Sequence, residues 1–133
     1  MLSAREGLAT WHKVIENGSK PAELAAIIRE DASFHSPVVH TPQKGRDLVV
    51  AYLSAAGQTL GNDSFTYVRE LVDDENACLE FTTEMDGIHV NGIDLIRFDE
   101  KGMITDFKVM VRPLKAVNKV WEQMAAMLER MKG

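Results

Sequence analysis

The spacing of apolar residues changes twice along this 133-residue chain, and that change constrains the fold more than any motif. In the first part, Leu8, Trp11, His12 and Ile15 recur at helical spacing, and Asn17-Gly18 ends the stretch as a helix C-cap would. Pro21 suits the first turn of a second short helix, with Leu24, Ile27 and Ile28 facing inward. Asp31 to Ser36 reads as a short extended segment stopped by Pro37, and a third helix is expected from about Arg46 to Ala56, with Leu48, Tyr52 and Ala55 on one side and Gly57 breaking it. From Phe65 onward the period is two. Phe65 to Val72, Ala77 to Met85, His89 to Phe98 and Met103 to Val111 are rich in β-branched and aromatic residues, and polar turns at Asp73–Asn76, Asp86-Gly87 and Asp99–Gly102 separate them. After Pro113 the helical period returns through Leu114, Val117, Trp121, Met124, Leu128 and Met131. Helices, then antiparallel strands, then a helix is an α+β layout.

Composition sets the outer bounds. One domain over residues 1–133 is the natural division, since no repeat or linker-like tract interrupts the chain. Fifteen Lys and Arg against twenty Asp and Glu give a formal charge of −5, which argues against broad nucleic-acid binding. The apolar runs are far short of the roughly 20 residues that span a bilayer, and Met1 to Glu6 carries no secretory pattern. Cys78 is the single cysteine, so an internal disulfide and a thiolate zinc cluster are both excluded. A cytoplasmic protein with neither membrane nor nucleic-acid partner is the expectation.

Asp31-Ala32-Ser33-Phe34-His35-Ser36-Pro37-Val38 with a downstream Gly45 resembles the first strand and loop of ketosteroid isomerases, of the SnoaL-like group in the nuclear transport factor 2 superfamily. Gly92 to Asp99 resembles the penultimate strand of that family, and Gly102 to Phe107 the turn into its last strand. The resemblance implies a cone: three N-terminal helices over a curved antiparallel sheet, a C-terminal helix, and an apolar pocket between helices and sheet. It implies a homodimer through the outer face of the sheet, to which Cys78, Glu80, Thr82, Glu84, Val109, Val111 and Arg112 could contribute. Asp94 falls where the isomerases keep a protonated carboxylic acid as an oxyanion donor. Ser36 falls where they carry the carboxylate base, and His12 where they carry the oxyanion tyrosine. Two of three catalytic positions are therefore changed, and steroid isomerisation by the family mechanism is not expected.

The residues themselves set two readings for each candidate. Strand alternation groups Asp94 with Val90, Ile96 and Phe98, so a carboxyl among apolar groups is either a hydrogen-bond donor to a ligand oxygen or a structural aspartate held by a backbone amide, Arg97 or Arg112. His12 shares the stripe of Leu8, Trp11 and Ile15; it is either a base or proton shuttle facing Asp94, or a structural hydrogen-bonder. Ser36 lacks a Gly-x-Ser-x-Gly elbow and serves as a positioning hydroxyl rather than a nucleophile. Trp11, Phe34, Tyr52, Phe81, Phe98 and Met110 are candidate pocket walls. His35, His40 and His89 match no ligand spacing, so neither metal nor cofactor is expected. The function that follows is binding of a small apolar or carbonyl-bearing molecule, with cofactor-independent isomerisation, cyclisation or dehydration by proton transfer as its chemistry. Its rival is a non-catalytic dimeric ligand-binding or interaction module.

Overall fold

A computed structural model describes residues 3–132, apart from the side chains of Met131 and Lys132, so Met131 as the last member of the helical stripe lies outside the described residues. The elements run α1 (Ser3–Glu16), α2 (Pro21–Ile27), β1 (Ile28–His35), β2 (Gln43–Lys44), α3 (Arg46–Leu60), β3 (Thr66–Val72), β4 (Asn76–Met85), β5 (Ile88–Phe98), β6 (Ile104–Arg112) and α4 (Leu114–Lys132). The strands form one curved six-stranded sheet in the order β2-β1-β6-β5-β4-β3.

Short turns join β3 through β6 and force antiparallel pairing among them. The tightest is Asp86-Gly87, with φ of 50° and 79°, the left-handed pair that a two-residue hairpin requires. The sheet is mixed rather than antiparallel throughout, because β1 lies parallel to β6. No hairpin links those two strands; β1 leaves α2 directly at Ile28 and takes its direction from that helix. It is also longer than the segment from Asp31 to Ser36 expected from its residues.

The core lies between the helices and the inner sheet face, where Leu79, Phe81, Ile96, Phe107 and Val109 meet Trp11, Val14, Val49, Leu53 and Val120. Strand parity holds in β5: Val90, Asp94, Ile96 and Phe98 are all buried. Two helix readings need correction. Helix α3 passes through Gly57 to Leu60, since tertiary packing outweighs the roughly 1 kcal/mol that glycine costs inside a helix. Its inward residues include Val49, Leu53 and the expected Ala55, whereas Leu48 is exposed. In α4 the buried positions are Ala116, Val120 and Met124, and Leu114 and Trp121 stand out at 74% and 51% exposure. The small Ala116 is the side chain turned inward where the helix leaves β6, and this rotates the expected stripe away from the core. No helix among the described residues is long and apolar enough to cross a membrane.

Candidate functional site

Asp94 is the one acidic side chain in the buried layer of the sheet, at 7% exposure. It lies opposite Leu79 of β4 and Val109 of β6, both apolar and buried. A phenol reaches it from the edge strand: Tyr67 Oη donates to Asp94 Oδ2 at 2.6 Å. The indole of Trp11 on α1 in turn donates through Nε1 to Tyr67 Oη at 3.2 Å. Burial pushes the Asp94 carboxyl up to about 7, and the Tyr67 hydrogen bond only partly opposes this. Burial, with the Asp94 carboxylate alongside, raises the Tyr67 phenol well above its ordinary value, so its proton stays on. No hydrogen bond to Asp94 Oδ1 is made by the described residues, which leaves that oxygen to the cavity beside it.

This cavity has a volume of about 90 Å³. Its sheet side is Phe65, Tyr67, Phe81, Asp94, Phe107 and Val109, and its helix side is Trp11, Ile15, Leu53 and Leu60 with the Gly18-Ser19 turn and Gly57. Phe65 stacks on Phe81 with ring centroids 5.1 Å apart, and Trp11 leans on Phe107 at 5.0 Å. The walls are aromatic and apolar, and Asp94 and Tyr67 are the titratable groups among them. The volume is small beside the roughly 300–1,000 Å³ of clefts that take drug-sized ligands, so the space suits a compact molecule.

Of the residues expected here, Asp94, Trp11 and Phe81 meet in the cavity. His12 does not face Asp94. Its Nε2 lies 2.9 Å from Glu70 Oε2, with its side chain 32% exposed. Consecutive helix positions differ by about 100°, so when Trp11 points at the Tyr67 hydroxyl, His12 must turn aside. Tyr67 links to both His12 and Asp94, its ring meeting the His12 ring edge-on at 5.6 Å while its hydroxyl donates to Asp94. Ser36 Oγ accepts the N–H of Val38 at 3.1 Å within its own loop, in a separate cleft beside His35 and His40. The family position of the carboxylate base thus holds a hydroxyl occupied locally.

Phe34 and Tyr52 pack on each other at 5.4 Å behind the cavity wall, and Phe98 is buried against Gly7. Met110 is half exposed on the opposite face of the sheet, because alternation from Val109 turns it outward. The same alternation brings Val109, expected at the outer face, into the cavity. His35 bonds Asp106 at 2.8 Å outside the site, and no group of three or more His, Cys, Asp or Glu among the described residues could hold a metal ion.

Tyr67 is the residue that sequence reasoning passed over. The signal was present: Phe65 and Tyr67 alternate. A register shift between Tyr67 and Arg69 breaks the period immediately afterwards, so β3 reads as a polar edge strand. A broader groove of about 940 Å³ lies on the other side of the sheet, and in it Arg29 pairs with Asp31 and Asp99, Arg97 with Glu75, and His35 with Asp106.

Comparison with known proteins identifies the family and the fold. The family model described as a SnoaL-like domain matches residues 8–107. A crystal structure of a steroid delta-isomerase from Pseudomonas aeruginosa is 34% identical, superposes with a TM-score of 0.91, and is covered over 95% of its length by 98% of this chain. An uncharacterised protein with a cystatin-like fold from Silicibacter pomeroyi is 31% identical, with a TM-score of 0.82 over 90% of this chain and 83% of that one. A putative SnoaL-like polyketide cyclase from Jannaschia sp. shares the fold at 10% identity and a TM-score of 0.69, over 88% of this chain and 92% of that one. A comparison with curated proteins gives no match. Sequence and superposition together place the chain in the SnoaL-like family, on the ketosteroid isomerase-like fold of the nuclear transport factor 2 superfamily.

Proposed function

We propose that this protein binds a compact, largely apolar molecule in the Asp94 cavity, with a carbonyl-type oxygen of that molecule hydrogen-bonded to the Asp94 carboxyl. The observation that carries this reading is a buried carboxyl with one oxygen bonded to Tyr67 and the other turned to an aromatic-walled space. Trp11 spends its single N–H on Tyr67, and Tyr67 spends its single O–H on Asp94. With Asp94 ionised the trio has no proton left for a ligand; with Asp94 protonated it has one. A group titrating near neutral pH is also suited to giving a proton to a ligand oxygen and taking one back. The chemistry we propose is therefore cofactor-independent proton transfer at an oxygen: isomerisation, dehydration or cyclisation of a substrate that needs no second protein base.

His12, paired with Glu70, is assigned no catalytic part, and Ser36 none in binding. The protein is proposed to work in the cytoplasm as a homodimer, without nucleic acid or membrane partners. A non-catalytic binding module is the second reading, favoured by the absence of a carboxylate at Ser36.

Cyclisation and isomerisation substrates are unidentified, so cyclohexanone serves as the probe, with ligand-observed NMR as the readout. Binding roughly tenfold tighter at pH 6 than at pH 8 is expected, following the protonated fraction of Asp94. Asp94→Asn, which offers an N–H at every pH, should bind equally at both. Wild-type affinity that ignores pH, or no binding at all, would overturn the proposal.

A further inference from the structure

The cavity has a second polar pole that the Asp94 reading leaves unused. Ser19 lies in the turn between α1 and α2, is 8% exposed, and lines the same space as Asp94. No hydrogen bond to its Oγ is made by the described residues. Among the described residues no buried side-chain nitrogen or oxygen lacks a partner, so this unbonded Oγ is not sealed in the packing but open to the cavity that Ser19 lines. Its backbone is fixed independently of that hydroxyl: the Ser19 N–H donates to Val14 O at 3.0 Å and closes the end of α1.

Two features hold the side chain in place. Ser19 adopts φ of 53°, a left-handed conformation that residues other than glycine and asparagine seldom take. Such strained positions gather at ligand sites, where the surrounding fold over-determines them. Gly57 of α3 faces it at a distance that leaves no room for another carbon: a Cβ there would stand 2.7 Å from Ser19 Cβ and 2.8 Å from Ser19 Oγ. The glycine inside that helix therefore makes the space the serine side chain occupies. Ser19 stands on the helix side of the cavity, and Asp94 stands on the sheet side.

We infer that Ser19 is a ligand-binding residue whose Oγ hydrogen-bonds a second oxygen function, so that the molecule bound here is a compact apolar body carrying two oxygens, one for Asp94 and one for Ser19. This inference rests on the reading of the Asp94 cavity as a ligand site and narrows its ligand class. A hydroxyl both donates and accepts, so the second function is an alcohol or a carbonyl. A cavity this small suits a single ring or a short branched chain between the two.

The test compares cyclohexanone with 2-, 3- and 4-hydroxycyclohexanone, which place the second oxygen at three distances from the first. Wild-type protein should bind at least one hydroxylated ketone about three- to tenfold tighter than cyclohexanone, the increment of one net hydrogen bond. Ser19→Gly, which accepts the left-handed backbone without strain, and Ser19→Ala, which keeps the Cβ, should both erase that preference. Both should keep the tighter binding of cyclohexanone at pH 6 than at pH 8, which rests on Asp94. A preference that survives in both variants, or that no isomer shows in wild type while cyclohexanone binds in a pH-dependent way, would overturn the role of Ser19 alone. Failure of cyclohexanone to bind wild type would remove the Asp94 reading and this inference with it.

Discussion

A carboxyl raised to about 7 in the folded chain and near 3.8 in the unfolded one has a definite consequence for stability. The folded state holds the proton more tightly, so the stabilisation from Asp94 is full below about pH 4 and is lost as pH rises toward 7. For one isolated group the range is at most roughly 4 kcal/mol. Asp94→Asn keeps an oxygen for the Tyr67 hydroxyl and removes the titration. Denaturant midpoints should show the variant gaining on wild type between pH 4.5 and 8; a difference that stays flat would show Asp94 ionised throughout. Tyr67→Phe leaves the Trp11 N–H without its acceptor and removes the hydrogen bond that opposes the Asp94 shift. A loss of about 1–3 kcal/mol is expected by chemical denaturation, because unpaired buried groups carry their desolvation cost. His12→Ala should cost less than about 1 kcal/mol, since its pair with Glu70 is a third exposed on each side.

Between elements, the seam of α3 with the α1–α2 turn is the sensitive contact. Alanine in place of glycine normally gains about 1 kcal/mol in a helix. At Gly57 the sign should reverse, because the added Cβ meets Ser19 at 2.7 Å. Gly57→Ala is expected to lose about 1–3 kcal/mol and to narrow the cavity, measured by thermal unfolding and by cyclohexanone affinity. A stabilised variant with undiminished affinity would contradict the packing described here. This seam also marks the limit of what the residues disclosed. Strand parity in β5 put Asp94 in the core, and the Asn17-Gly18 stop fell where α1 ends. The partner of Asp94 was not legible, because Tyr67 comes from an edge strand whose alternation fails at a bulge. Helix rotation was the other weak point. The stripes of α3 and α4 tolerate shifts of one position, which is why Leu48 and Trp121 emerge on the surface.

At the scale of the molecule, the sheet has a second face. Met110 is half exposed there and Ile93 and Leu95 are partly so, beside the polar Glu80 and Arg112. Apolar surface of this kind rimmed by charge is how an interface between copies reads, and a two-fold pair is its simplest closure. A dimer is expected by light scattering at micromolar concentration, and Met110→Asp should shift it to monomer while leaving cyclohexanone affinity unchanged, since Met110 and the cavity lie on opposite faces. A wild-type monomer would contradict this assignment without touching the cavity.

The central claim is that Asp94 is a cavity-facing carboxyl poised near neutrality. Carbon-13 NMR of protein labelled at the aspartate carboxyls, with the Asp94 signal assigned by its absence in Asp94→Asn, measures this directly. The account predicts one aspartate titrating at about pH 7, well apart from the rest; an Asp94 midpoint near 4 would contradict it.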